Sequence, residues 1–271
     1  MWVKRLLPLL LLLPVQALAQ TSLDDENDVM TRVRVGFDKK LTKGLHLWAS
    51  EEFRFEDAST AVDQFRTSMG LSYKVNRYLK ASAGYILINP HGKNGFKEPR
   101  HRLSADLTGI WKAGDWNFLL RERVQMTHRT GSFNRYQNPL NAWVLRSRVS
   151  AKYKGFDSLT PYGFFEVRNT LNAPTVKAVY NATTDTYSSQ DGSTAAGWFI
   201  SGWDGMYVNR LRLGLGMEYK LSKHHELDFF LLSDYITDKE IDASKDGTQL
   251  QSYTIQHGLN FIFGVAYTFS F

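Results

Sequence analysis

Arginine recurs in this chain as alternate-residue pairs. Arg32 and Arg34, Arg121 and Arg123, Arg146 and Arg148, and Arg210 and Arg212 are spaced i, i+2, and Glu52/Arg54 and Glu166/Arg168 repeat the spacing with one carboxylate. Arg66, Arg102 and Asp106 stand on the same alternating sets. In an extended chain, residues two apart share a face, so each pair projects from one surface, with Lys80, Lys152, Glu218, Glu226 and Asp228 on the same side. A wall of this kind has two readings. As a cationic lining it attracts anionic solutes and focuses the field. As an Arg–Glu lattice it fills a narrow interior and ties strands together, with Glu52/Arg54 and Glu166/Arg168 as natural pairs whose attraction offsets desolvation.

Catalytic pairings do not emerge from the pattern. His46, Ser50 and Glu52 share a face, but His46 and Ser50 are four residues apart, roughly 13 Å at strand rise, too far for a nucleophile–base hydrogen bond. His101 and Ser104 face opposite sides, His128 has no evident partner, and His224-His225 falls in a turn. The acidic group Asp234, Asp238, Glu240 and Asp242 matches no calcium-loop spacing. With no cysteine, a thiol nucleophile, a thiolate metal site and a disulfide framework are excluded. No catalytic residue, cofactor or metal is therefore expected.

The elements that must carry these side chains are long strands. Residues 253–271 alternate without interruption: Tyr253, Ile255, His257, Leu259, Phe261, Phe263, Val265, Tyr267, Phe269 and Phe271 form a large, mostly aromatic set, and the other set is small and mostly polar. Such a strand exceeds the usual 5–6 residues and suits a tilted membrane crossing. Ten further segments alternate similarly, at 29–41, 45–55, 64–75, 78–89, 100–112, 116–128, 141–154, 161–171, 208–220 and 226–237. In 208–220, Leu211, Leu213, Leu215, Met217 and Tyr219 oppose Arg210, Arg212, Gly214, Gly216 and Glu218. Short turns at 42–44, 76–77, 113–115, 155–160 and 221–225 alternate with longer loops at 56–63, 90–99, 129–140, 172–207 and 238–252. That rhythm predicts an all-β, antiparallel up-and-down transmembrane barrel of 10–12 strands, with short periplasmic turns and long extracellular loops. Charge in lipid is costly, so the charged sets must face the lumen.

Two features strain the pattern. Eleven segments are counted where even numbers are the rule, so ten or twelve strands are expected: either the residues before Val29 supply an extra one, or one segment is wrongly divided. Glu51 and Glu122 fall on otherwise apolar faces, which a β-bulge would correct by shifting the register. The loop at 172–207, holding Tyr180, Tyr187, Trp198, Phe199, Ile200 and Trp203, could fold inward as a constriction, lie across the rim, or extend the next strand at the membrane interface.

The ends and the composition agree with export. Residues 1–19 carry a basic start (Lys4, Arg5), an apolar run and Ala17-Leu18-Ala19, the features of a cleaved signal peptide. Residues 20–28 form an acidic leader, and 29–271 the barrel. Formal charge is +6, and removing Lys4 and Arg5 leaves about +4. No basic tract with stacking aromatics marks a nucleic-acid binder. Mean hydropathy is −0.34 and aromatic content 14%, acceptable for a barrel in which only alternate residues face lipid.

The order of short motifs resembles a family of bacterial outer-membrane proteins, domain of unknown function 2490. The motifs are Glu52-Phe53-Arg54-Phe55, Leu71-Ser72-Tyr73-Lys74, Ala83-Gly84-Tyr85, Arg100-His101-Arg102-Leu103, Asn138-Pro139-Leu140, Pro161-Tyr162 leading to Glu166-Val167-Arg168-Asn169, and Asn209-Arg210-Leu211-Arg212-Leu213-Gly214-Leu215-Gly216. The resemblance implies an outer-membrane barrel and carries no activity and no functional residues. The expected partners are outer-membrane lipid and, through a C-terminal strand ending in Phe269 and Phe271 as assembly signal, periplasmic chaperones and the barrel-assembly machinery. The leading functional expectation is a narrow, weakly anion-preferring pore. A structural or ligand-binding barrel with a filled lumen, and a rim-located lipid-modifying enzyme, stand as alternatives.

Overall fold

Alternation sustained over a dozen residues commits a segment to strand, because a helix would scatter the apolar set around its axis. A computed structural model describes residues 27–92 and 95–271; the signal-peptide expectation, and the leader up to residue 26, fall outside them. Strands β1 (Asp28–Thr42), β2 (Leu45–Glu56), β3 (Ala61–Lys74) and β4 (Leu79–Gly92) are followed by the short β5 (Gly95–Phe96). Then come β6 (Arg100–Ala113), β7 (Trp116–Arg129), β8 (Asn141–Tyr153) and β9 (Leu159–Val176). A small hairpin, β10 (Val179–Asn181) with β11 (Thr186–Ser188), precedes β12 (Ile200–Lys220), β13 (His225–Ala243) and β14 (Leu250–Ser270).

The eleven long strands form one closed ring. Each pairs antiparallel with its neighbours in chain order, and β3–β4 completes one side of the circuit. The remaining contact, β1 with β14, is parallel, from Asp28 opposite Asn260 to Asp38 opposite Ser270. The count is thus eleven, not ten or twelve, and the up-and-down order is antiparallel everywhere but at this seam. The reason is parity: an odd number of strands in a reversing meander leaves the first and last pointing the same way, so the ring can close only through a parallel pair. Asp28, the last residue of the leader, already belongs to β1, which bonds to a neighbour on each side.

The seam explains the small set of β14. Arg32 lies opposite Gly264 and Arg34 opposite Ala266 on the inner face, while Val33 meets Val265 and Val35 meets Tyr267 outside. Small inward residues on β14 leave room for the arginines of β1. Glycine acts similarly elsewhere: Phe230 lies opposite Gly216 and Gly264, Phe164 opposite Gly214, and Trp48 opposite Gly70, which is itself opposite Gly84.

Glu51 and Glu122 need no bulge. No register shift falls at either residue, with Glu51 opposite Val35 and Thr67, and Glu122 opposite Leu107 and Ser147. Both keep the outward parity, and Ser147 Oγ donates to Glu122 at 2.6 Å. The loop expected at 56–63 is a tight turn at residues 57–60, in which Asp57, Ala58 and Ser59 take positive φ of 53°, 53° and 68°. The Asp28 carboxylate accepts from the backbone N–H groups of Asp57 and Ala58 at 3.1 and 3.0 Å, which compensates that left-handed path.

The 172–207 loop contracts to residues 177–199, because β9 and β12 extend to Val176 and from Ile200. Trp198 and Phe199 bury against Ile241, Ala243 and Leu250, with Tyr136 from the 130–140 segment packed on them. Ile241 and Ala243 continue the outward parity of Phe229 and Tyr235, so this clasp grips the outer face of the extended β13–β14 hairpin rather than entering the barrel. Trp198 Nε1 donates to the Thr248 carbonyl at 2.9 Å, and Asn134 Nδ2 to that of Ala243 at 2.8 Å. In the β13–β14 turn, hydrogen bonds from Ser244 and Thr248 hold the Asp246 carboxyl below its ordinary range.

A Cβ on Gly70 would sit 2.5 Å from Trp48 Cζ2 and 2.8 Å from Gly84 Cα. Gly70→Val should therefore destabilise the barrel by about 1–3 kcal/mol through overpacking. The penalty should shrink in a Trp48→Leu background, read from urea-unfolding midpoints as a double-mutant cycle.

Candidate functional site

Inward parity brings the predicted charged residues into one band around the interior. Arg32 and Arg34 come from β1, Glu52 and Arg54 from β2, Arg66 from β3, Arg102 and Asp106 from β6, and Arg121 and Arg123 from β7. Arg146 and Arg148 come from β8, Glu166 and Arg168 from β9, and Arg210 and Arg212 from β12. Strand register then sets neighbours. Arg123, Arg146, Arg168 and Arg210 lie directly opposite one another across β7, β8, β9 and β12. Like charges placed so are destabilising and need anions in adjacent rows.

Three carboxylates supply them on this wall. Glu166, 1% exposed, accepts from Arg146 Nη2 at 2.5 Å, Arg148 Nε at 2.7 Å and Arg121 Nη2 at 2.9 Å, with Arg212 Nη1 at 3.9 Å. Asp234, equally buried, takes a bidentate fork from Arg212 at 2.5 and 2.6 Å, with Arg210 Nη1 at 3.3 Å. Asp106 pairs with Arg123 and accepts from Ser82 Oγ at 3.1 Å. The sequence reading grouped Asp234 with Asp238, Glu240 and Asp242 and left it out of the lumen set; it faces inward within β13, where its register partner Arg212 reveals its role.

The opposite wall is unevenly provided. Glu52 bonds Arg54 Nε at 2.5 Å. Among the described residues no carboxylate lies within 4.0 Å of Arg32, Arg66 or Arg102. Arg66 Nε donates to Gln64 Oε1 at 2.6 Å and Arg102 Nε to Thr127 Oγ1 at 2.8 Å.

These side chains surround an interior cavity of about 480 Å³. Ten arginines border it (Arg32, Arg34, Arg54, Arg66, Arg102, Arg121, Arg123, Arg146, Arg148 and Arg212) against three carboxylates, Asp38, Glu52 and Asp228. Asp106, Glu166, Arg168 and Arg210 do not border it; the two carboxylates lie beneath the guanidiniums they hold. No residue of the 130–140 or 177–199 segments lines it.

Toward the short turns the lumen carries a layer the sequence reading missed. Trp48, Tyr162, Phe164 and Phe230 face inward beside Leu232, and Ile262 is fully buried behind them. Arg148 lies 3.8 Å over the Phe164 ring. Glycines on the inward sets were the available signal: Gly70, Gly214, Gly216 and Gly264 each seat an aromatic ring from a neighbouring strand. Below this layer Lys152 and Lys154 flank Glu218, and Tyr162 donates to Asp228 at 2.9 Å.

The histidines find polar partners. His46 Nδ1 is 2.7 Å from Asp38, His101 Nδ1 2.6 Å from Tyr85 Oη, and His128 Nδ1 2.8 Å from Asn141 Oδ1. Ser50 borders the lumen cavity. Phe271 follows the last strand and packs edge-on against Phe37, centroids 4.8 Å apart, while its N–H donates to the Asp38 carbonyl at 3.0 Å. Beside the clasp, a groove of about 730 Å³ is lined by Tyr136, Leu140, Trp143, Asn172, Ile200 and Trp203 among others.

Glu166→Gln should cost about 3–5 kcal/mol, since it strands buried guanidiniums without their anion. Adding Arg146→Met should recover part of the loss, because it removes one of the stranded charges; urea titration of the refolded protein checks both.

The description "Protein of unknown function (DUF2490)" belongs to the family whose profile matches residues 33–177. No curated protein matches the chain. Among solved structures, one titled "NanC porin structure in rhombohedral crystal form" is 14% identical, with 84% of this chain and 96% of that chain covered. Its TM-score is 0.42, too low to carry any property across. The family match extends over more than half of the sequence, from within β1 through the end of β9, and on that ground the chain belongs to the DUF2490 family.

Proposed function

We propose that this protein is an outer-membrane β-barrel acting as a narrow, weakly anion-preferring pore for small solutes, without a catalytic role. The observation that carries this reading is the cavity wall, where ten arginines outnumber three carboxylates. Eleven strands lie between the eight that side chains fill and the sixteen or more that leave a wide channel. The aromatic layer narrows the interior further, which favours small solutes.

The membrane setting is supported by the outer surface. Val35, Met69, Leu103, Leu107, Leu120, Val149, Leu213 and Phe263 all project outward and exposed. Tyr73, Tyr78, Trp111, Trp116 and Tyr219 ring the short-turn end. Trp143 and Tyr153 stand at opposite ends of β8. The ten residue steps from one to the other span about 26 Å at 3.4 Å rise and ~40° tilt, matching the apolar band of outer-membrane barrels. We read Phe269 and Phe271 as the segment presented to periplasmic chaperones and the assembly machinery, and outer-membrane lipid as the partner of the belt.

The ion-pair lattice favours a second reading, a lumen filled for strength rather than for transport. Single-channel recording of the refolded barrel under a salt gradient separates the two. Current steps with an anion-selective reversal potential are expected, and Arg148→Glu should weaken that selectivity. A folded but silent barrel would leave the lattice reading.

Leu213 is 55% exposed on the outer face. Leu213→Arg should cost about 2–4 kcal/mol of folding free energy in lipid vesicles if it sits near mid-membrane, whereas Leu213→Phe should be nearly neutral. Equal tolerance of both would argue against a lipid-facing belt.

A further inference from the structure

Carboxylates are shared unequally between the two walls of the lumen. On one side, Asp106 of β6, with Glu166 and Asp234, holds Arg121, Arg123, Arg146, Arg148, Arg210 and Arg212. On the β1–β4 side, Glu52 alone holds an arginine, Arg54. Arg32, 7% exposed, and Arg66 and Arg102 border the cavity with no carboxylate partner among the described residues. Arg66 and Arg102 each use Nε on a neutral side chain, which leaves their terminal Nη groups for the cavity.

The register sets how these groups meet. Arg32 lies directly opposite Arg54, and Arg66 directly opposite Glu52. Arg102 stands two strands from Arg66, with Ile86 and Ile88 of β4 between their rows. Ile86 borders the cavity with Ile88 buried beside it, so the intervening strand supplies an apolar wall rather than a competing acceptor. Cationic forks around a partly apolar pocket, short of anions, are arranged for a ligand that brings both charge and several acceptor oxygens. A halide brings one charge and cannot engage a fork bidentately. A phosphate-class oxyanion can, because guanidinium geometry matches two of its oxygens at once.

We propose that Arg32, Arg54, Arg66 and Arg102 form a binding site in the lumen for a multivalent phosphate-class oxyanion, free or carried on a small ester. The proposal rests on the lumen-lining reading above and narrows its solute class. Guanidiniums held apart by the strand ladder are preorganised, so binding draws little on rearrangement. Removing one fork leaves the others in place.

Isothermal titration of the refolded barrel in detergent, at fixed chloride ionic strength, compares inorganic pyrophosphate with a hexose phosphate. One saturable site is expected for at least one of them, weakened roughly tenfold or more by Arg66→Gln and by Arg102→Gln, as loss of a charge-assisted hydrogen bond requires. Tighter binding of the hexose phosphate would name an organic ester as the ligand; tighter binding of pyrophosphate would name the free anion. Heat-modifiable migration in gels establishes that each variant is folded before it is titrated. A folded barrel that saturates with neither probe overturns the site, and so does binding that both substitutions leave unchanged. Conductance tells the two readings apart: a silent barrel that binds pyrophosphate removes the pore and keeps the site, while a conducting barrel that binds neither probe removes the site alone.

Discussion

Every strand of the ring must find a hydrogen-bonding neighbour on both edges, and the ring meets that requirement with an odd number. In a hydrocarbon setting an open edge would leave a row of unpaired N–H and C=O groups, each costing several kcal/mol. In the membrane setting proposed above the ring must therefore close, and with eleven strands closure forces β1 and β14 into parallel register. Much else follows. The parallel seam sets Arg32 beside Gly264 and Arg34 beside Ala266, which decides how large the residues of β14's inner face can be. Closure also divides the chain's alternating sets into an inside and an outside.

Inside, the problem is charge. Arginines facing one another across β7 to β12 would repel, and buried carboxylates in neighbouring rows convert that repulsion into a clamp. Burial of those carboxylates beneath the guanidiniums leaves the cavity surface cationic even though much of the charge is paired. The two functional readings are consequently not exclusive in physical terms: the same lattice that fixes the strands also fixes the direction in which the free N–H groups point. The aromatic layer adds a second material, flat rings seated over glycines, which reduces the bore without adding charge.

Much of this was legible in the sequence because a period of two is a strong signal over long segments. Strand positions followed from it to within a few residues at most ends, as with residues 116–128 against Trp116–Arg129. Less legible were features decided between strands. The parity of the ring depends on counting every segment correctly, and the even-number rule argued against the count that the alternation itself produced. Glu51 and Glu122 looked like register errors, yet no register shift falls at either, and Glu122 is accommodated by a cross-strand serine that no single-strand pattern displays. Asp234 was hidden by a loop boundary drawn near it, and its meaning lies in a register partner on another strand. The inward aromatics interrupt polar sets and read as noise until the glycines opposite them are known.

The parallel seam also bears on how the chain reaches this state. Most contacts join neighbouring strands in sequence, the kind that form quickly because little chain must be closed to make them. The β1–β14 ladder joins residues separated by more than 230 positions, Asp28 to Asn260 among them. No segment of the ring can substitute for that pairing, and it has no partner until the last strand exists. Assembly of this barrel thus combines ten local steps with one of very high contact order, and the closing step carries nearly the whole chain's loop entropy as its barrier.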